Sequence, residues 1–270
     1  MKKLLILVLV VLSVLLSACG SKEGLLKEGQ IRIATSPDYA PYEFVDLNKT
    51  GNEKFLGSDI ELMKFIAREM GVTLVIEEMS FESTLMAVQT GKVDLAISGF
   101  SWTPKRSQSF NMSIGYFGEG DGDQQVLILK ENMDKFTSLQ SLNDPKVKIV
   151  AQSGSIQEEF VDVQLPNATK QLVSDLDVAL SLVLNKTVDA LAISSNAAEV
   201  RMSNNDKLAV VSENFDVESH GFVAVAKKGN DELIDIINDI IQKSIDQNLY
   251  AGWLETAKAM ASSLGEDINE

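Results

Sequence analysis

Two stretches of the chain repeat one another. Leu85 and Val88 stand eight and five residues before Val93-Asp94, and Leu180 and Val183 hold the same offsets before Val188-Asp189. Each unit reads as an amphipathic helix, a tight turn, Val-Asp, an apolar strand and then a serine, Ser98 in one and Ser194 in the other. A solenoid needs three or more copies at a shorter period. Two copies about 95 residues apart specify two similar α/β lobes instead. Ligands of open α/β sheets bind beyond the carboxyl ends of the strands. Two lobes facing each other with those ends enclose a ligand between Ser98 and Ser194.

The richest single stretch is Gly91–Phe110, GKVDLAISGFSWTPKRSQSF. A Gly-Lys turn leads into the apolar run Val93, Leu95, Ala96 and Ile97, as in a buried parallel strand. Ser98-Gly99-Phe100-Ser101 then opens a small, hydroxyl-rich turn that a ligand can approach closely. Thr103-Pro104 predicts an N-cap with proline at the first helical position, which puts Arg106 in the first turn. The helix dipole favours anions there, so an arginine is out of place unless an anion is held by both. A guanidinium fork fits a carboxylate bidentately, and together these features describe a carboxylate pocket. The alternative is a surface arginine on an ordinary β–α unit, and spacing alone does not choose between them.

This stretch resembles the signature of the solute-binding proteins of polar amino acid ABC importers (family 3). That signature is GxxD, an apolar strand, then Ser/Ala-Gly-x-Ser/Thr-x-Thr-x-x-Arg. It is matched at Gly91, Asp94, Ser98, Gly99, Ser101, Thr103 and Arg106. Further similar stretches follow in order: IRIATSPDYAPYEF (31–44), GSDIELMKFIAREMG (57–71), SFESTLMAVQTGKVD (80–94), QSGSIQEEF (152–160), KTVDALAIS (186–194) and GFVAVAKKGN (221–230).

The resemblance implies an α/β, two-lobed periplasmic-binding-protein-like fold (type II), with the ligand cleft between lobes joined by two hinge segments. It implies a first lobe over 31–122, a second over 123–215, and a return to the first over 216–270. Arg106 would hold a ligand carboxylate, with Ser98, Gly99 and Ser101 around it. Tyr39 would lie over the ligand and Phe81 would face it. The first-turn amides at Ser155 and Ile156 would close from the second lobe. The alternative for Phe81 is packing at a helix start, and Tyr42 and Phe44 read better as the edge of a core. Ser155 with Glu158 also spells a capping box, which holds in either case.

One position departs from the family. Ser194 stands where relatives carry an acid that pairs with the ligand's α-ammonium. Either neutral acceptors such as the Ser98 carbonyl and the Ser101 and Ser194 hydroxyls hold the ammonium, or the ligand has none. Relatives that bind basic amino acids often have an acid at Ser36 as well.

The remaining segments have plainer readings. The helix beginning at Ser58 or Asp59 and ending at Gly71 shows an inward face of Ile60, Met63, Ala67 and Met70. Asn230 is expected to cap a long helix with Leu233, Ile236, Ile237, Ile240 and Ile241 inward, and Leu249–Met260 to form a final helix around Trp253. YFGEGDGDQQ (116–125) falls at the lobe crossing. It lacks the full calcium-loop pattern and reads as a solvated hinge insert. His220, the only histidine, has no triad or metal cluster around it and reads as structural.

Residues 1–18 carry MKK and a thirteen-residue apolar run, a signal-peptide pattern too short for a comfortable span. Leu16-Ser17-Ala18-Cys19 resembles a lipobox, and Cys19 is the only cysteine, so lipid attachment is its expected use. Residues 19–30 would form a lipidated leader on the outer face of the cell membrane. The alternative is an uncleaved signal anchor. The formal charge of −15, which becomes −17 once Lys2 and Lys3 are removed, argues against nucleic acid as a partner.

The expected function is capture of a small polar amino acid and its delivery to an ABC permease with its ATPase, by a monomer without cofactor or metal. Alternatives are a binder of another carboxylate, a sensor or scavenger, and, with the least support, a dehydratase-type enzyme on the same scaffold. Such an enzyme needs a positioned acid or base in the cleft, and Ser194 supplies neither.

Overall fold

The two Val-Asp pairs occupy matching places in two five-stranded sheets of one design. The computed structural model describes residues 24–119, 124–217 and 220–268. The signal region, Cys19, most of the hinge insert (120–123) and the His220 side chain lie outside the described residues.

The first lobe is built from β1 (Gln30–Thr35), β2 (Phe44–Val45), β3 (Phe55–Leu56), α1 (Ser58–Met70), β4 (Thr73–Glu78), α2 (Phe81–Thr90), β5 (Leu95–Ala96), α3 (Pro104–Ser109), β6 (Phe110–Met112) and β7 (Phe117–Glu119). The second contains β8 (Gln124–Leu129), α4 (Leu139–Leu142), β9 (Lys148–Gln152), α5 (Ile156–Gln164), β10 (Thr169–Val173), α6 (Leu176–Leu184), β11 (Ala190–Ser194), α7 (Ser195–Ser203) and β12 (Leu208–Val210). The chain returns through β13 (His220–Phe222) and β14 (Val225–Lys227) to α8 (Asp231–Asp246) and α9 (Leu249–Ile268).

The sheets run β4-β1-β5-β14-β6 and β10-β9-β11-β8-β12. In each, the first two pairings are parallel and the last two antiparallel. The sequence repeat has a direct cause here. Asp94 Oδ2 accepts the Arg32 amide of β1 at 2.7 Å, and Asp189 Oδ2 accepts the Lys148 amide of β9 at 2.9 Å. Each carboxylate satisfies a backbone donor on the neighbouring strand, and each valine beside it is buried. Ser98 and Ser194 then emerge at the carboxyl ends of β5 and β11.

The inward faces differ in extent from the sequence reading. Ile60, Met63, Ala67 and Met70 are buried, but so are Leu62, Phe65 and Ile66, because α9 packs over α1 and sets Trp253 against Phe65 at 5.7 Å. Gly71 ends α1 in the left-handed conformation (φ 64°), which glycine adopts without steric cost. Asn230 is the N-cap residue of α8, as expected, but its side chain makes no capping hydrogen bond. Its amide donates instead to the Gly24 carbonyl at 2.9 Å, fastening the leader to the lobe. The final helix continues past Met260 to Ile268.

Two antiparallel strands, β7 and β13, join the lobes, with Phe117 opposite Phe222. Their rings pack into an aromatic cluster with Tyr42, Tyr116 and Tyr250, the Tyr42–Phe222 and Phe117–Tyr250 centroids both lying 5.0 Å apart. The hinge is therefore rooted in the first-lobe core.

The strand-joining role of the repeated aspartates is measurable. Asp94 is 2% exposed and also accepts the Leu26 amide at 2.6 Å, whereas Asp189 is partly exposed. Asp94→Ala should cost about 2–3 kcal/mol in urea denaturation and Asp189→Ala about 1 kcal/mol. The reverse order would contradict this account.

Candidate ligand cleft between the lobes

Thr103 and Pro104 set the geometry of Arg106. The Thr103 hydroxyl accepts the Arg106 amide at 3.1 Å and caps α3, as its sequence indicates. The guanidinium then reaches both lobes, Nη1 donating to the Ser101 carbonyl at 2.8 Å and Nη2 to the Gly154 carbonyl at 2.9 Å. It lies over the rings of Phe100 and Phe81, at 5.6 and 5.8 Å from their centroids. Among the described residues no carboxylate pairs with it. Burial pulls the guanidinium down to about 10, with Glu159 acting in the opposite sense. Beside it opens a cavity of about 380 Å³ walled by Thr103, Lys105, Arg106, Gly154, Ser155 and Glu158.

The Ser98–Ser101 turn is held from behind. Ser98 Oγ donates to Glu43 Oε1 at 2.7 Å and accepts the Ser36 amide at 3.0 Å, so the hydroxyl faces into the lobe. The Gly99 amide donates to Asp59 Oδ2 at 2.8 Å. Gly99 has φ 56°, and a Cβ there would come within 2.9 Å of the Tyr39 ring. Ser101 is buried and bridges to Phe222 of the hinge.

Tyr39 packs against the cores of both lobes, its ring 5.0 Å from that of Tyr42. Burial raises its phenol well beyond the ordinary range, with Ser194 and Gln157 facing it. Phe81 is buried and stacks on Phe100 at 4.7 Å. The structure thus gives each of these two aromatics another ring as neighbour and sets Phe81 beneath Arg106. Tyr42 and Phe44 are buried at the core edge, as read from the sequence.

From the second lobe, Ser155 Oγ accepts the Glu158 amide at 3.2 Å and donates to the Gln152 carbonyl at 2.7 Å. Glu158 does not close the expected box. Its carboxylate reaches one residue further and accepts the Gly154 amide at 2.8 Å. Ile156, in the first turn of α5, keeps an amide with no intrahelical acceptor. The same turn docks on the first lobe through Ser153 Oγ, which donates to Glu82 at 2.9 Å. Ser194 is 3% exposed, and among the described residues its hydroxyl has no hydrogen-bond partner. An unsatisfied polar group at the cleft is the kind that a ligand completes.

Sequence reasoning missed the support behind the turn. Asp59 and Glu43 are fully buried. Asp59 accepts from the Gly99 amide, from Tyr116 at 2.8 Å and from Tyr250 at 2.5 Å. Glu43 Oε2 meets no donor. Burial first, and Asp59 second, push the Glu43 carboxyl well above the carboxylate range. Burial raises the Asp59 carboxyl too, but its three donors oppose that shift, so of the two Glu43 keeps the proton and Asp59 carries the charge. An acid in the first turn of a helix reads as an ordinary dipole partner, so nothing local marked Asp59.

The fold and this cleft define a two-lobed bacterial amino-acid-binding-protein architecture. The chain belongs to the bacterial extracellular solute-binding proteins, family 3, whose model matches residues 31–256. It is 30% identical over 268 residues to the arginine-binding extracellular protein ArtP of Bacillus subtilis, covering 96% of this chain and 97% of ArtP. The solved structure of the amino acid ABC transporter substrate-binding protein AbpA of Streptococcus pneumoniae, bound to L-arginine, is similar with a TM-score of 0.79. Identity there is 33%, covering 87% of this chain and 96% of AbpA. A cyclohexadienyl dehydratase of Pseudomonas aeruginosa is 23% identical over 180 residues, 67% of this chain and 64% of that enzyme. Among the described residues no helix is long and apolar enough to cross a membrane.

The buried Glu43 proton has a pH signature. Glu43 has a folded pKa above its unfolded value of about 4.3, so its contribution to stability is complete below that value. The contribution is lost as pH rises through the folded pKa. Urea-derived stability should fall toward alkaline pH. Glu43→Gln, which fills the same space and cannot ionise, should flatten that fall, and an unchanged profile would contradict a protonated Glu43.

Proposed function

We propose that this chain is an extracytoplasmic solute-binding protein, anchored by lipid on Cys19, that captures a small polar amino acid by hinge closure and delivers it to an ABC permease and its ATPase. The observation that carries this reading is Arg106. Its guanidinium is bonded to one carbonyl from each lobe, depressed by burial and without a carboxylate partner among the described residues. A ligand carboxylate entering between the lobes would take the guanidinium fork in place of those carbonyls. The Ile156 amide, beside Ser155, would seal the same carboxylate from the second lobe.

Tyr39 and Phe81 supply aromatic surface, Tyr39 to the ligand and Phe81 to the orientation of Arg106. Ser98 and Gly99 form the polar floor through their backbone, and Ser101 adds its hydroxyl. The unpartnered Ser194 hydroxyl is the neutral acceptor for an α-ammonium. Because ArtP is named for arginine and AbpA was solved with it, L-arginine is the first ligand to try. A second reading, a carboxylate without an α-ammonium, is favoured by the neutral Ser194, and the neutral Ser36 counts against a basic side chain. In either reading the protein binds its ligand without chemistry, and turnover of a bound ligand would overturn it.

A thermal-melt panel of amino acids and simple carboxylates tests both. A ligand at 100 times its Kd stabilises by about 2.7 kcal/mol. Arg106→Ala should lose about 3–5 kcal/mol of binding, because it strands a carboxylate in a closed cleft. Affinity retained within about tenfold (about 1.4 kcal/mol) would remove the basis of the proposal.

A further inference from the structure

Asp38 belongs to the first lobe, but its contacts lie largely in the second. Its Oδ2 accepts from Gln152 Nε2 of β9 at 2.8 Å and from the Leu176 amide at 2.8 Å, while Oδ1 accepts from the neighbouring Ser36 hydroxyl at 2.8 Å. Leu176 is the first residue of α6. The cap of that helix, Asp175, takes the Asp177 and Val178 amides at 2.9 Å each and leaves the Leu176 amide to Asp38. Arg201 of α7 donates to the Asp38 carbonyl at 2.9 Å while pairing with Asp177 at 2.8 Å. Three elements of the second lobe therefore grip one residue of the first, at both its side chain and its backbone.

This junction does not use Arg106 or its carbonyl partners. Beside it lies a cavity of about 350 Å³, walled by Pro37, Asp38, Phe44, Leu180, Arg201 and Leu264 among others. A small apolar cluster of Ala40, Phe44, Val200 and Ala261 also spans the lobes along that wall, and the polar contacts of Asp38 act beside it.

We propose that Asp38 is a positioning residue that latches the first lobe onto the second, holding the cleft closed independently of the contacts to the ligand carboxylate. The titratable and charged groups facing it are Asp175, which caps α6, Asp177 on α6, Arg201 on α7 and the protonated Glu43 in its own loop. Burial pushes the Asp38 carboxyl up to about 6, against the hydrogen bonds from Leu176 and Ser36. Opening returns the group to water and toward its ordinary value of about 3.9. The closed state therefore binds the proton more tightly, and closing takes up protons as pH falls through that interval. The latch holds better at pH 5 than at pH 8.

The inference rests on the proposed capture by closure, but its test does not depend on the ligand. Hydrogen–deuterium exchange on the full chain reads the Leu176 amide, which donates across the cleft. Rates are corrected for the pH dependence of chemical exchange and taken with and without L-arginine. Wild-type protection at Leu176 should fall severalfold from pH 5 to pH 8. Asp38→Asn keeps an oxygen for Leu176 and cannot ionise, so it should retain the protection and lose the pH dependence. Asp38→Ala should lose at least tenfold of the protection at Leu176 while the amides of the β9–β11 ladder keep theirs. Equal exchange in wild type and Asp38→Ala, a pH profile shared by wild type and Asp38→Asn, or a wild-type Leu176 amide unprotected in both conditions overturns the latch. If L-arginine changes nothing in any variant, arginine is not the ligand, and the comparison of wild type with Asp38→Ala still decides the latch.

Discussion

A buried anion inside the first lobe organises the ligand side of the structure. Asp59 receives the Gly99 amide from the turn after β5, Tyr116 from the chain just before the hinge strand, and Tyr250 from α9. Three distant parts of the chain meet on one carboxylate. A charge removed from water persists only where donors replace its hydration, and these donors come from the elements that must be aligned for the cleft to exist. The protonated Glu43 beside it extends the network to Ser98 and, through that hydroxyl, to the Ser36 amide. The polar turn is thus fastened to the hinge root and the last helix by one connected set of hydrogen bonds.

Arg106 stands at the opposite electrostatic extreme. Its cation is surrounded by carbonyls and ring faces, and burial lowers it to about 10. Asp59 is saturated with donors while Arg106 has only neutral acceptors, so the internal charges of the first lobe do not cancel each other. One is structural. The other waits for a partner from outside, which is why the site reads as a receptor for an anion.

Much of the framework was legible because it rests on local chemistry. The Val-Asp repeat announces where a strand begins beside its neighbour, and the structure supplies the reason in the Asp94 and Asp189 carboxylates. Thr103-Pro104 fixed the helix that presents Arg106, and the departures at Ser194 and Ser36 were visible as missing acids. What escaped notice depends on partners far along the chain. Asp38 meets Gln152, Leu176 and Arg201 only when the lobes are together, and Glu43 and Asp59 look like ordinary loop and first-turn acids until both are buried. The unexpected side-chain partners at two helix starts have the same origin. Asn230 spends its amide on the leader, and Glu158 finds Gly154 one residue beyond its expected target.

The central claim is that Arg106 holds the carboxylate of a ligand clasped between the lobes. Calorimetric titration of the wild-type protein with L-arginine, or with whichever amino acid proves to bind, and then with the methyl ester of the same amino acid, tests it most directly. The ester keeps the side chain and the ammonium, removes the negative charge and adds a methyl, so the primary amide, which removes the charge at nearly constant size, is titrated beside it and must lose binding too. The account predicts that esterification abolishes binding in the wild type. An ester that binds as tightly as the free acid would contradict it.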